Sequence, residues 1–130
     1  MSEYQKQISR RVVVDFLNRA DAALAEGSDI AADLRFGHDI VLQPFVSHLR
    51  ITGHEQWVHF DQVNAVWNSS ATIGMGANFQ MIFYKNKAGD VLVKMLHNEK
   101  EVTIPALETF SDPYYKWTDL RAYLVGLLND

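Results

Sequence analysis

Asn78-Phe79-Gln80-Met81-Ile82-Phe83-Tyr84-Lys85, then Asn86-Lys87-Ala88-Gly89-Asp90, then Val91-Leu92-Val93-Lys94-Met95-Leu96-His97 carries the clearest secondary-structure signal in the chain. Two runs rich in β-branched and aromatic residues flank a short loop that contains glycine, the pattern of a β-hairpin. Both runs are apolar on each face, with Phe79, Met81 and Phe83 on one and Ile82 and Tyr84 on the other. A strand buried on one side alternates apolar with polar, so this pattern predicts a sheet covered on two sides.

Outward from the hairpin, Glu101 to Ile104 predicts a further short strand before Pro105. Trp117 to Leu128 places Trp117, Leu120, Leu124, Leu127 and Leu128 on one helical stripe, with Thr118 as its expected N-cap. Upstream, Glu3 to Glu26 reads as a long helix, because Ile8, Val12, Phe16 and Ala20 step by one turn, and Gly27 is its expected C-cap. Asp29 to Phe36 predicts a strand with Ala32, Leu34 and Phe36 on one face and Asp33 and Arg35 on the other. Ile40 to Leu49 is helical in pattern, but an interior proline costs about 3 kcal/mol, which moves the expected start of regular helix to Pro44. Residues 51–80 hold no Lys or Arg and are rich in Gly, Asn and Ser, which predicts irregular structure. The order helix, strand, helix, hairpin, helix predicts an α/β fold: a layered α/β/α arrangement with a small mixed sheet that includes the hairpin.

The 130 residues, 48% hydrophobic and 22% charged, suit a single domain over 1–130 with a true core. A net charge of -4 argues against a nucleic-acid partner, which calls for a basic excess. No apolar run is long enough for a membrane span, and Met1-Ser2-Glu3-Tyr4-Gln5-Lys6 has no signal-peptide character. The absence of cysteine removes disulfides, thiolate zinc sites and thiol nucleophiles.

The one compact constellation of catalytic type is Gly37-His38-Asp39, where a strand is expected to stop and a helix to begin. Ligands of layered α/β folds bind outside the carboxyl ends of strands, and His beside Asp can supply an anion contact and a general acid. The bland reading of the same residues is a turn with an exposed His and a capping Asp. Other clusters carry less. His54-Glu55 with His59 lacks the one-turn histidine spacing of a zinc helix. His48 and His97 are expected to be structural, Trp57, Phe60 and Trp67 to pack against a core, and Arg10 and Arg11 to form a solvated helix face.

The stretch Ala32-Asp33-Leu34-Arg35-Phe36-Gly37-His38-Asp39, continuing to Leu42-Gln43-Pro44-Phe45, resembles the second catalytic motif of the histidine acid phosphatases. These form the branch of the histidine phosphatase superfamily that includes phytases and inositol-polyphosphate phosphatases. The resemblance extends through Ala77–Tyr84, Val91–Glu99 and Val102–Pro105, and so over much of the chain from Asp33 to Leu124. It implies metal-free, cofactor-free hydrolysis of a phosphorylated small molecule through a phosphohistidine. By position, His38 would contact the phosphate of the substrate and Asp39 would be the general acid that protonates the leaving alkoxide. A carboxylate beside a bound phosphate keeps its proton to higher pH through like-charge repulsion, which implies an acid optimum.

One departure dominates. The family's nucleophile lies in an Arg-His-Gly-x-Arg-x-Pro motif, and no Arg-His pair occurs in this sequence. The expectation is therefore the C-terminal part of a histidine phosphatase catalytic domain, inactive alone, whose parent is exported to the periplasm or secreted. The alternative is a non-catalytic phosphatase-like binding domain. Ile40 stands where the family often has Thr, which removes a polar contact at the helix start. A sheet edge or face left uncovered by the missing half predicts a homodimer or a self-adhering monomer.

Overall fold

The computed structural model describes residues 1–56 and 58–130. Helix α1 spans Glu3–Leu24. It starts at a capping box: the Ser2 hydroxyl accepts from the Gln5 N–H, and the Gln5 side chain accepts from the Ser2 N–H at 2.9 Å. Its stripe of Ser9, Val13, Leu17 and Ala20 is buried. The helix ends two residues sooner than the pattern suggests, and Gly27, at φ +75°, belongs to the following turn rather than to the cap.

Helix α2 spans Asp39–Leu49 and carries Pro44 inside it, so the expected start at Pro44 is corrected by five positions. The energetics explain this. The proline forfeits about 3 kcal/mol, while Phe45, Val46 and Leu49 are almost wholly buried. Each of those side chains contributes about 1.5–3 kcal/mol on burial, so packing against α1 outweighs the break. Phe16 of α1 stacks on Phe45 at 5.0 Å between ring centroids. Phe79 meets Phe45 edge-on at 5.2 Å, joining both helices to the sheet.

Among the described residues between α2 and the sheet there are only short helical turns: a 3-10 turn at Phe60–Gln62, α3 at Val63–Val66 and α4 at Ser69–Thr72. This is the irregular segment the composition foretells. The sheet then follows, with β1 at Phe79–Lys85, β2 at Val91–His97, β3 at Lys100–Val102 and β4 at Tyr115–Lys116. Helix α5, Trp117–Leu127, follows β4 directly, so its N-cap is Lys116 and not Thr118.

The fold is a small mixed α/β fold, as expected, and the hairpin lies where the sequence puts it. Its register runs from Phe79 opposite His97 to Lys85 opposite Val91. Strand β2 is central, with β1 on one side and β3 and β4 sharing the other, and every described pairing is antiparallel. Phe79, Met81 and Phe83 of β1 and Val93 and Met95 of β2 pack into the helical core. Trp117 of α5 meets Phe83 at 5.0 Å. On the opposite face, Ile82, Leu92 and Leu96 are half-buried and Tyr84 is exposed. The three long helices therefore pack on one face, whereas the alternation predicts cover on both. A salt bridge from Lys94 to Glu101 and the Tyr84–Tyr114 ring pair lie across the second face instead.

The other correction concerns Asp29–Phe36, which is not a strand. Asp33 and Arg35, one face of the predicted strand, are held by charge. Arg35 binds Asp15 of α1 at 2.8 Å and Asp33 at 2.9 Å, and Arg19 lies 3.7 Å from Asp33. The apolar face is left in solvent: Leu34 is 71% and Phe36 94% exposed. The local alternation is that of a strand, but no ladder pairs with it.

Candidate functional site

Gly37, His38 and Asp39 lie at the solvent-exposed N-terminal end of α2. His38 is the N-cap, with extended backbone (φ -123°, ψ 164°), and its side chain makes no capping hydrogen bond. Its carbonyl accepts from Val41 and Leu42 at 2.9 and 3.1 Å, which closes the first turn of the helix. The Asp39 carboxylate accepts from the Ile40 N–H at 2.9 Å. The sequence thus places both side chains together on a helix start, and the bland capping role assigned to the Asp is only partly realised, since the bond is to its immediate neighbour.

Chemically, such an end offers unpaired backbone N–H groups and the positive pole of the helix dipole. His38 can add a hydrogen bond or a positive charge, and Asp39 a proton. A phosphate also needs fixed cations. Arg35, the nearest in sequence, is engaged with Asp15 and Asp33, each carboxylate neutralising part of its charge. A space of about 440 Å³ begins one residue beyond Asp39, between Ile40 and Pro44 of α2 and Tyr4 and Ile8 of α1.

The remaining histidines divide sharply. His59 is exposed, 3.2 Å from Asp61. His48, in the last turn of α2, is buried and its Nδ1 lies 2.8 Å from the Ser9 hydroxyl of α1. That pairing has the chemistry of a nucleophile and base, but Ser9 is fully buried and no substrate reaches it. Burial, helped by the nearby Arg10 charge, holds the His48 imidazole below its ordinary pKa. Arg10 itself pairs with Glu3 and donates to the Asp130 carbonyl, more engaged than a simple solvated arginine, whereas Arg11 is exposed as expected.

Half-buried His54 and buried His97 form a second group. Their rings are 5.3 Å apart, and Trp67 meets His54 edge-on at 4.8 Å. Burial pushes both imidazoles to lower pKa, and for His97 the neighbouring His54 adds to the effect. Their Nε2 atoms, the Trp67 indole N–H and one Glu55 carboxylate oxygen are buried without a hydrogen-bond partner among the described residues. Of the expected aromatic cluster, Trp67 packs against the core. Trp57 and the Phe60 side chain fall outside the described residues. No group of three or more His, Asp or Glu among the described residues is arranged to hold a metal ion.

Sequence reasoning misses both buried pairs, and nothing in the sequence could have signalled them. Ser9 and His48 are 39 positions apart and meet only because α1 packs on α2. The Tyr115 hydroxyl is similar: it accepts from the Ile104 N–H at 2.7 Å inside the core, from 11 positions away. In comparison with known proteins, the chain matches no family model and no curated protein.

Proposed function

We propose that Gly37-His38-Asp39 is the acid-donating edge of a phosphomonoesterase site of the histidine acid phosphatase kind, with His38 contacting phosphate and Asp39 protonating the leaving oxygen. The observation that carries this reading is the exposed pairing of the two side chains on the first turn of an 11-residue helix. An anion seated there gains from the helix N-terminus and from His38. Asp39 lies within one residue of it, as a general acid must. The nucleophile and the arginine clamp belong to the Arg-His-Gly motif that this sequence lacks. The substrate is a phosphorylated small molecule, an inositol phosphate being one such class, and export of the parent protein belongs to the same proposal.

A second reading has its own support. Arg35 is tied to Asp15 and Asp33 rather than free to clamp a phosphate, which favours a non-catalytic domain that holds an anion weakly. Two measurements separate these. An aryl phosphate assay of the purified chain is expected to show no turnover, and addition of a polypeptide bearing the Arg-His-Gly motif should restore it. Asp39→Asn should then lower the restored rate by about 10²–10⁴-fold. Restored turnover that ignores Asp39→Asn contradicts the acid role, and turnover by the chain alone that His38→Ala abolishes contradicts the division between two parts. Phosphate binding without restorable turnover favours the binding domain.

Self-association is part of the same proposal. The outer edge of β1 pairs with no described strand, and Leu34 and Phe36 stand in solvent. Light scattering at rising concentration should show a dimer, and a monomer throughout contradicts it.

A further inference from the structure

We infer that β1 is the edge through which two copies of this chain join, pairing antiparallel about a two-fold axis at Ile82 so that their four-stranded sheets continue as one. The inference rests on the self-association proposed above and supplies its contact and register. Strand β1 is seven residues long, holds no proline, and keeps an unbroken register with β2 from Phe79 to Lys85. None of its residues is buried, whereas Val93, Met95 and His97 of β2 are. Edge strands are normally guarded by charge, proline, a bulge or shortness. The single charge here, Lys85, stands at the end of the strand, and its amine donates to the Leu24 carbonyl at 3.2 Å. It is tied to α1 instead of guarding the edge.

The backbone shows which groups face outward. At one end of the β1–β2 ladder the Asn98 N–H donates to the Asn78 carbonyl at 2.9 Å, and at the other the Asn86 N–H donates to the Asp90 carbonyl at 3.0 Å. Both pairs continue the register of the strands. Hydrogen-bonded positions alternate along an antiparallel strand, so Gln80, Ile82 and Tyr84 direct their backbone groups to β2. Phe79, Met81, Phe83 and Lys85 direct theirs away from it. Among the described residues no strand receives them. A row of such N–H and C=O groups is completed by another extended strand.

A second copy completes the row without remainder. With Ile82 on the axis, Phe79 faces Lys85 of the second copy and Met81 faces its Phe83, so every outward residue of both strands is paired. Moving the axis one residue either way leaves one end of each strand outside the ladder. Opposed residues share a face of the sheet. Met81 then meets Phe83 on the side of the helices, while on the open side Ile82 meets its own copy and Tyr84, 44% exposed in the single chain, is covered by Gln80. Each Lys85 lies opposite a phenylalanine, so no like charges meet along the seam.

The chain has no cysteine, so one introduced thiol reports the register. The Ile82 pair is of the non-hydrogen-bonded kind, with Cα atoms about 4.5 Å apart, within disulfide reach. Ile82→Cys should therefore give a covalent dimer on mild oxidation. Gln80→Cys and Tyr84→Cys should each stay unlinked alone and link when mixed. Ile82→Glu sets a carboxylate opposite Lys94 within its own chain, but two carboxylates against each other across the axis. It should keep the native circular dichroism and weaken the dimer about tenfold or more in light scattering. Leu34→Ser combined with Phe36→Ser should leave the dimer intact. A dimer that this surface pair dissolves, that the Ile82 thiol fails to link, or that Gln80→Cys or Tyr84→Cys links alone overturns this contact and leaves self-association standing. A monomer at every concentration overturns both. Neither result touches the phosphate reading at His38 and Asp39, which the aryl phosphate assay decides.

Discussion

The two ends of α2 hold histidines in opposite circumstances. At its start His38 stands in solvent beside Asp39, free to meet a ligand but supported by little. Near its end His48 is enclosed, bonded to Ser9, and out of reach of any substrate. Reactive residue types alone therefore do not define a site. Access without support gives a weak anion contact, and support without access gives a structural bond. The proposed phosphatase role needs both, and at His38 the support must come from residues that this chain does not carry.

The largest expected effect lies in what holds α2 to its neighbours. Phe45→Ala removes a ring packed against Phe16 and Phe79 and should cost about 3–5 kcal/mol in denaturant unfolding. A loss below 1 kcal/mol would show that the proline-containing helix is not held by this packing. Next comes the buried histidine. His48→Ala opens space and leaves the Ser9 hydroxyl unpaired, for an expected loss of about 2–4 kcal/mol. His38→Ala at the other end should stay within about 0.5 kcal/mol of the native chain. Equal losses at the two positions would erase the contrast.

Acid should reveal the same asymmetry. His48, His54 and His97 are all depressed by burial, so unfolding gains protons and global stability falls as pH drops below about 6.5, the ordinary histidine value. Replacing His48 by Phe should reduce, without abolishing, the pH dependence of the denaturation midpoint, because His54 and His97 still contribute. The surface ion pairs should also matter little to stability. Arg35→Ala should cost at most about 1 kcal/mol, as exposed ion pairs do. It should still raise backbone exchange across residues 29–36, because these ion pairs hold that segment on α1.

These contrasts also explain what could be read in advance. The hairpin, α1 and α5 are legible because each writes its period into consecutive residues, and Gly37-His38-Asp39 is legible because its members are adjacent. Segment 29–36 has the alternation of a strand, yet its fate is decided by Asp15 and Arg19 on another element. The start of α2 was obscured for a similar reason: the penalty of Pro44 is local, while the burial that outweighs it comes from α1 and β1. The apolar second face of the hairpin likewise gives no sign of whether helices or only side chains cross it. The His54–His97 contact depends on a loop folding back to a strand end, which no spacing encodes.

The most direct test of the central claim is a titration of the native chain with inorganic phosphate, followed by amide and histidine-ring resonances. The account predicts saturable shifts centred on His38, Asp39 and Ile40, lost in His38→Ala. Shifts that ignore those residues, or none at all, would contradict a phosphate site at the start of α2.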